Sequence, residues 1–294
     1  MKKRFFWLIL SIIIILAGAT LAYYLFSPAR GLEVDFLDVG QGDAILIKTP
    51  AGQNILIDGG PDKTVLRRLA ENLPWFDRQL DLVILTHPDD DHAAGLAAAA
   101  GRFKIKKFVY TALADESPGY TALLDEIKKQ KIAAVIIDRP QIINFDQSGS
   151  AGSLQAARLE ILSPVKTLAG QAPKNINDSS IVSRLVYGET AVLLTGDIET
   201  GAEEELLAND APVAARAIKI SHHGSDNGTG EAFLSVASPG IAIISVGADN
   251  TFGHPSRRVL KRLERAGAKI YRTDQDGTVK LFSDGKTLNT KTEK

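Results

Sequence analysis

The chain has 294 residues, 45% of them apolar, and a formal net charge of −1. That length and apolar fraction suffice for one large domain or two small ones around a sizeable core, and they exclude a disordered chain. There is no cysteine, so disulfides and thiolate zinc sites are excluded and any metal must sit on histidine, carboxylate, amide or water ligands.

The chain opens Met1-Lys2-Lys3-Arg4 and then runs from Phe5 to Phe26 without a charge. At helical rise this run is about 30 Å long or slightly more, the thickness of a bilayer core. The leading cations, with Tyr23 and Tyr24 near the far end, predict a single-pass membrane helix whose N-terminus is cytoplasmic and whose following domain is extracytoplasmic. A cleaved signal peptide is the competing reading: small residues between Ala17 and Ala22 would form the cleavage site and the protein would be secreted. Without Lys2, Lys3 and Arg4 the 34 basic residues fall to 31 against 35 acidic, a net charge of −4. That balance does not advertise a strong nucleic-acid binder.

Ser27-Pro28-Ala29-Arg30-Gly31 reads as a short linker, so residues 1–30 are anchor and linker. Apolar runs bounded by turn signals then predict strands at 33–37, 44–48, 54–57, 82–86, 107–110, 134–137, 158–162, 181–187, 191–195, 217–220, 241–246 and 269–272. Helix patterns fall at 63–72, 92–100, 120–130, 199–207 and 256–266, most with Asp, Ser or Thr of the capping kind near the start. Twelve strands exceed an ordinary single sheet, so two sheets covered by helices are the natural packing. No second linker interrupts residues 31–285, and 286–294 read as a polar, frayed tail.

All five histidines, His87, His92, His222, His223 and His254, lie in turn-like stretches. His254 alone would pass for an ordinary surface or core histidine. The run His87-Pro88-Asp89-Asp90-Asp91-His92 would not. A strand delivers the chain to it, Pro88 disfavours helix, and His87, Asp89 and Asp91 can project the same way. His92 follows at the start of a helix that Asp91 could cap. Three clustered acids repel unless a cation compensates them, and a divalent metal does so directly. Two ions could share this one loop.

The run resembles the His-x-His-x-Asp-His signature of the metallo-β-lactamase superfamily, with Asp89 in place of the second histidine. The chain is similar in particular to the ComEC-like hydrolase domain of bacterial competence proteins. The shared segments are Phe36-Leu37-Asp38-Val39-Gly40-Gln41-Gly42-Asp43, Leu56-Ile57-Asp58-Gly59-Gly60, Leu194-Thr195-Gly196-Asp197, Ser221-His222-His223-Gly224-Ser225, His254-Pro255 and Arg272-Thr273-Asp274. They appear in the matching order from about Gly31 to Phe282. The resemblance implies an α+β fold, a four-layer αββα sandwich with the metals at one edge between the sheets.

On that resemblance His87, Asp89, Asp91, His92 and Asp197 are expected to hold metal, with Asp197 bridging two ions. The strand before Asp197 and the helix after it also suit a capping role. One of His222 and His223 should ligate. We favour His222, with His223 toward substrate, although adjacent side chains point apart and the sequence does not choose between them. Asp58 is read as orienting ligands or loops, and Asp43, Asn177, Asp178, Ser180 and Ser225 as supporting or substrate-facing positions. Many superfamily members carry a further histidine before the bridging aspartate, but none lies between His92 and Asp197 here. The stretch Asn175-Ile176-Asn177-Asp178-Ser179-Ser180 fills that region, where Asp178 or water would complete the set. So oxygen-rich a set leans toward Mn²⁺ as a rival to Zn²⁺.

Two ions would acidify a bridging water and polarise a phosphoryl or carbonyl oxygen. Asp89, Asp91 and His254 are the expected catalytic residues, with Asp89 and Asp197 able to accept the proton of that water and His254 to donate to a developing oxyanion. The resemblance points to phosphodiester hydrolysis, with DNA as a substrate. Rival readings are hydrolysis of another ester, such as a cell-wall phosphoester or a lactone, and a non-catalytic metal-binding interaction module. The expected partners are the membrane and a phosphodiester substrate, and nothing in the sequence points to a fixed protein partner.

Overall fold

The structure, a computed structural model, describes residues 2–26, 31–145 and 156–294, with only the backbone described at 2, 8 and 19–26. It divides into two compact units, Met1–Arg30 and Gly31–Lys294. The first contains one helix, α1 (Lys2–Phe26), which exposes Phe5, Phe6, Trp7, Ile9 and Ile12 through Ile15. Among the described residues no helix is long and apolar enough to cross a membrane, so they lend the expected membrane span no support. The linker 27–30 and the side chains of 19–26, with Tyr23, Tyr24 and much of the alternative cleavage site, lie outside the described residues.

The second unit begins β1 (Leu32–Phe36), β2 (Ile45–Lys48), β3 (Asn54–Ile57), α2 (Thr64–Asn72), β4 (Gln79–Leu80), β5 (Leu82–Ile84), α3 (Asp90–Ala100), β6 (Lys104–Ile105), β7 (Lys107–Tyr110), α4 (Pro118–Lys129), β8 (Ala133–Ile136) and β9 (Gln141–Asn144). It continues β10 (Arg158–Ser163), β11 (Val182–Tyr187), β12 (Thr190–Leu194), α5 (Thr200–Ala208), β13 (Ala217–Lys219), α6 (Glu231–Ala237), β14 (Ile241–Ile244), α7 (Arg257–Arg265), β15 (Lys269–Arg272), β16 (Val279–Ser283) and β17 (Leu288–Thr292).

Two large sheets result, ordered β17-β16-β1-β2-β3-β5-β7-β8 and β15-β14-β13-β12-β11-β10-β9, with β4 and β6 forming a separate pair. Side-chain alternation builds the layers. Ile45 and Ile47 of β2, Ile55 and Ile57 of β3, and Leu82 and Ile84 of β5 face the second sheet in a common core with Leu185, Leu194 and Ile243. The intervening Leu46, Leu56 and Val83 pack outward beneath α2, α3 and α4 on Leu69, Leu96 and Leu123. On the second sheet Leu193, Ile218 and Ala242 meet α5, α6 and α7 through Leu206, Phe233 and Leu263. Sheets covered on both faces require continuous apolar strands, as these are. The arrangement is the expected αββα sandwich.

Strands β3, β5 and β7 run parallel to one another, and so do β12 through β15. Loops at the carboxyl ends of parallel strands are where α/β sheets place their sites, and the motifs that follow β3, β5, β12, β13 and β15 fall there. Several strands stop short of the sequence expectation because side chains take over the ladder. Thr86 donates its backbone N–H to Asp58 Oδ1 at 2.8 Å and Val246 donates to Thr273 Oγ1 at 2.8 Å.

Residues 286–294 are not a frayed tail. Leu288–Thr292 pairs antiparallel with β16 after a turn in which Asp284 Oδ1 accepts from the backbone of Lys286 and Thr287 at 2.8 and 2.7 Å. Glu293 then receives both Nη1 contacts of Arg68 at 3.0 Å. The polar composition suits an edge strand with one face in water.

Candidate metal centre

The centre is assembled around Asp58, at the end of β3. Its carboxylate accepts the Thr86 backbone N–H, the Thr86 hydroxyl at 2.7 Å, and lies 2.8 Å from His92 Nδ1. His92 is brought there by α3, which packs on the Asp58 loop through two glycines. A Cβ on Gly95 would collide with the Gly59 carbonyl, and one on Gly59 with the backbone of Leu96. Gly95 also donates its backbone N–H to the Gly60 carbonyl at 2.9 Å. The cap position of α3 is Asp89, whose side chain makes no capping bond, and Asp91 lies in the first turn. Both carboxylates are left for other work.

Each of three histidines has its Nδ1 engaged on the outside of the cluster. His92 Nδ1 meets Asp58, His223 Nδ1 meets the Ser245 carbonyl at 2.9 Å, and His87 Nδ1 meets Thr86 Oγ1 at 3.0 Å and Ser180 Oγ at 3.3 Å. The Thr86 hydroxyl already donates to Asp58, so it accepts from His87 Nδ1–H. All three Nε2 atoms are thereby left as lone-pair donors facing inward.

Inside, His92 Nε2 is 3.3 Å and His223 Nε2 3.1 Å from Asp197 Oδ2, and His223 Nε2 is 3.2 Å from Asp91 Oδ2. His87 Nε2 lies 3.5 Å from Asp89 Oδ2. Two sets, His87 with His92 and Asp197, and Asp91 with His92 and His223, each bring ligand atoms within 4.8 Å of one another. His87 Nε2 and His92 Nε2 are buried without a hydrogen-bond partner. Buried imidazole nitrogens are seldom left so unless they meet a ligand, and this donor set fits divalent metal.

The other half of Asp197 is occupied. Lys219, fully buried at the end of β13, reaches Asp197 Oδ1 at 2.9 Å, the Gly196 carbonyl at 2.8 Å and Asp43 Oδ2 at 2.5 Å. Only Oδ2 of Asp197 therefore faces the histidines. The lysine escaped the sequence reading, although a cation closing an otherwise apolar strand was its visible sign.

Electrostatics agree with a site built for positive charge. Burial opposes charge on His92 and His223, yet neighbouring carboxylates, Asp197 foremost, outweigh it. They hold His92 well above its ordinary range and push His223 up to about 10. Burial would raise Asp91 and Asp197, but His92 and His223 keep both well below the carboxylate range, with Lys219 adding to the effect on Asp197. Metal binding would displace the imidazole protons and take over their charge.

The remaining candidates lie around this cluster. His222, favoured as the ligand from sequence, is not brought into it. Its Nδ1 lies 3.4 Å from Glu199 Oε1 and from Asn177 Nδ2, and its ring 5.5 Å from that of His254. Both His222 and His223 have positive φ, 48° and 54°. This left-handed turn swings His223, rather than its neighbour, inward. Such backbone strain in non-glycine residues collects at functional sites. His254 stacks on Phe252 and has a buried Nδ1 without a partner. Asp178 is turned from the centre: it accepts from the Glu199 backbone at 2.7 Å and from Asn175 Nδ2 at 3.1 Å. Ser180 Oγ accepts from the Asp197 backbone at 3.1 Å, and Ser225 donates its backbone N–H to the His222 carbonyl at 2.8 Å. Glu199, two residues past Asp197, is a neighbour that sequence reasoning missed.

Residues 37–248 match the family model described as the metallo-beta-lactamase superfamily. ComE operon protein 3 of Bacillus subtilis is 30% identical over 264 residues, covering 84% of this chain and 32% of that protein. Competence protein ComA of Neisseria gonorrhoeae is 27% identical, covering 86% of this chain and 33% of that protein. The chain thus spans about a third of the length of these curated relatives. Among solved structures, the metallo-beta-lactamase fold protein YhfI from Bacillus subtilis superposes with a TM-score of 0.53 at 12% identity, over 86% of this chain and all of that one. The chain belongs to the metallo-β-lactamase superfamily, a family whose members are mostly hydrolases.

Proposed function

We propose that the chain is a metal-dependent phosphodiesterase, with a DNA strand as its substrate, held at the outer face of a membrane by α1. The observation that carries the reading is the inward convergence of His87, His92 and His223 Nε2 on Asp197 and Asp91, two of those nitrogens having no other partner. His87, Asp89 and Asp197 would hold one divalent ion, and Asp91, His92, Asp197 and His223 a second. Metal bound there supplies Lewis acidity and a water acidified toward neutral pH. Asp58, Ser245 and Thr86 hold the imidazoles in their tautomers. Asp89 is two-fifths exposed and accepts the proton of the attacking water. Glu199 takes the Nδ1–H of His222, so its Nε2 presents a lone pair, and His254, whose ring lies 5.5 Å away, is left to donate to a phosphoryl or leaving oxygen. DNA as the substrate rests on the resemblance to the ComEC-like hydrolase domain, in keeping with one relative being named a competence protein.

The anchor rests on the sequence alone, on the charge-free run from Phe5 to Phe26 that follows Lys2, Lys3 and Arg4. Carbonate extraction of membranes, with protease access to the catalytic unit from the outer side only, tests it.

Activity of the full chain on single- and double-stranded DNA, a bis-aryl phosphodiester and a lactone, with Mn²⁺ or Zn²⁺, tests the reaction. Metal-dependent cleavage of DNA and the diester, lost in Asp197→Asn, is expected. Brisk lactone hydrolysis with intact DNA would overturn it.

A further inference from the structure

The end of the catalytic unit opposite the metal centre carries a surface that the chemistry does not use. Strand register places Glu33, Lys48, Asn54 and Asp81 on one level, and Phe36, Ile45, Ile57 and Ile84 at the other end, where Asp58 and Thr86 begin the site. Asn54 Nδ2 donates to Asp77 Oδ2 at 2.8 Å, fixing the loop after α2 at the end away from the site. On this loop Trp75 is 86% and Phe76 71% exposed, their rings edge to face at 5.6 Å. A hollow of about 350 Å³, lined by Leu66, Leu69, Leu73 and Phe103, opens beside them.

Arg78 and Arg102 rim that hollow, and the β4–β6 pairing sets Lys104 next to Arg78, its N–H 2.9 Å from the Arg78 carbonyl. All three cations are exposed, and among the described residues none has an ion-pair partner, whereas nearby Arg67 is paired with Glu71 and Lys106 with Asp81. Exposed indole and phenyl rings beside unpaired cations have the composition of a membrane interface. The rings settle at headgroup depth and each cation adds attraction to anionic lipid. The unit's first strand also starts at this end, with Leu32 next to Glu33.

We propose that the Trp75–Phe76 loop, with Arg78, Arg102 and Lys104, docks the catalytic unit on an anionic lipid surface, so that the metal centre at the opposite end faces away from the bilayer. This contact is independent of α1 and is tested without it.

Residues 31–294 form a compact unit with its own three cores, and Trp75 is the sole tryptophan in them. Its emission is followed as phosphatidylcholine vesicles, with and without phosphatidylglycerol, are added to that unit. The expected result is a blue shift and vesicle co-sedimentation with phosphatidylglycerol only. The Trp75→Ser/Phe76→Ser variant should lose co-sedimentation at unchanged circular dichroism, and Arg78→Gln/Lys104→Gln should weaken it roughly tenfold or more. No shift with either vesicle overturns the proposal. So does a shift produced by a single-stranded oligonucleotide but not by vesicles, which would make the loop a base-stacking platform. A shift that follows protein concentration alone would assign the loop to a second copy of the chain and equally overturn it.

Discussion

The Asp58 carboxylate lies 2.8 Å from His92 Nδ1 while its other oxygen takes the Thr86 backbone N–H at 2.8 Å. One side chain thus ends strand β5, fixes a histidine tautomer and aims Nε2 at Asp197. Asp58→Asn keeps the shape but replaces an acceptor with an amide donor against the imidazole. Metal affinity, read by competition with a chelating dye, should fall about 10–100-fold with little change in circular dichroism.

Lys219 is the fixed cation between Asp43 and Asp197. Lys219→Met leaves two carboxylates buried without it, which costs about 3–5 kcal/mol of stability. Chemical denaturation should show that loss in chelator and a partial recovery with Mn²⁺, which restores positive charge. The Asp43→Asn/Lys219→Met double variant should be less unstable than the sum of the single changes.

Gly95 and Gly59 bring α3 into contact with the Asp58 loop. Gly95→Ala forces the two apart and should cost about 1–3 kcal/mol. Because His92 rides on α3, weaker metal binding should accompany the loss. An alanine variant with unaltered metal affinity would show that this approach does not position the histidine.

Away from the centre, Asp35 is fully buried on β1. Burial pushes its pKa up to about 6 from 3.8, and Glu33 adds to the rise against the pull of Lys48 and Lys280. With the folded value above the unfolded one, the folded state holds the proton longer. The group's contribution is then fully present below the unfolded value and lost as pH rises through about 6. The stability of Asp35→Asn relative to the parent should therefore increase between pH values of roughly 4 and 6 and stay level above. A pH-independent difference would place the Asp35 titration in its ordinary range.

Much of this was legible in the sequence. The apolar runs became strands, and for most of them continuous hydrophobicity reflects sheets covered on both faces, whereas the edge strand β8 is apolar but exposed along its length. Polar β17 carried no such signal: its stability comes from pairing with β16 and from Glu293 on Arg68, both distant in sequence. The metal motif placed His87, Asp89, Asp91 and His92 together for the same local reason that made it readable. His222 and His223 could not be ranked because the choice depends on two consecutive left-handed residues, which composition does not announce. Lys219 reaches Asp43 and Asp197 only through tertiary packing.

The central claim, that His223 and not His222 completes a metal centre with His87, Asp91, His92 and Asp197, is tested most directly by metal content. Full-length parent, His92→Ala, His222→Ala and His223→Ala proteins would be loaded with Mn²⁺, desalted and measured by plasma mass spectrometry. The account predicts about two ions per chain in the parent and in His222→Ala, and a clear loss in His92→Ala and His223→Ala. Loss in His222→Ala with full content in His223→Ala, or equal content in all four proteins, would contradict it.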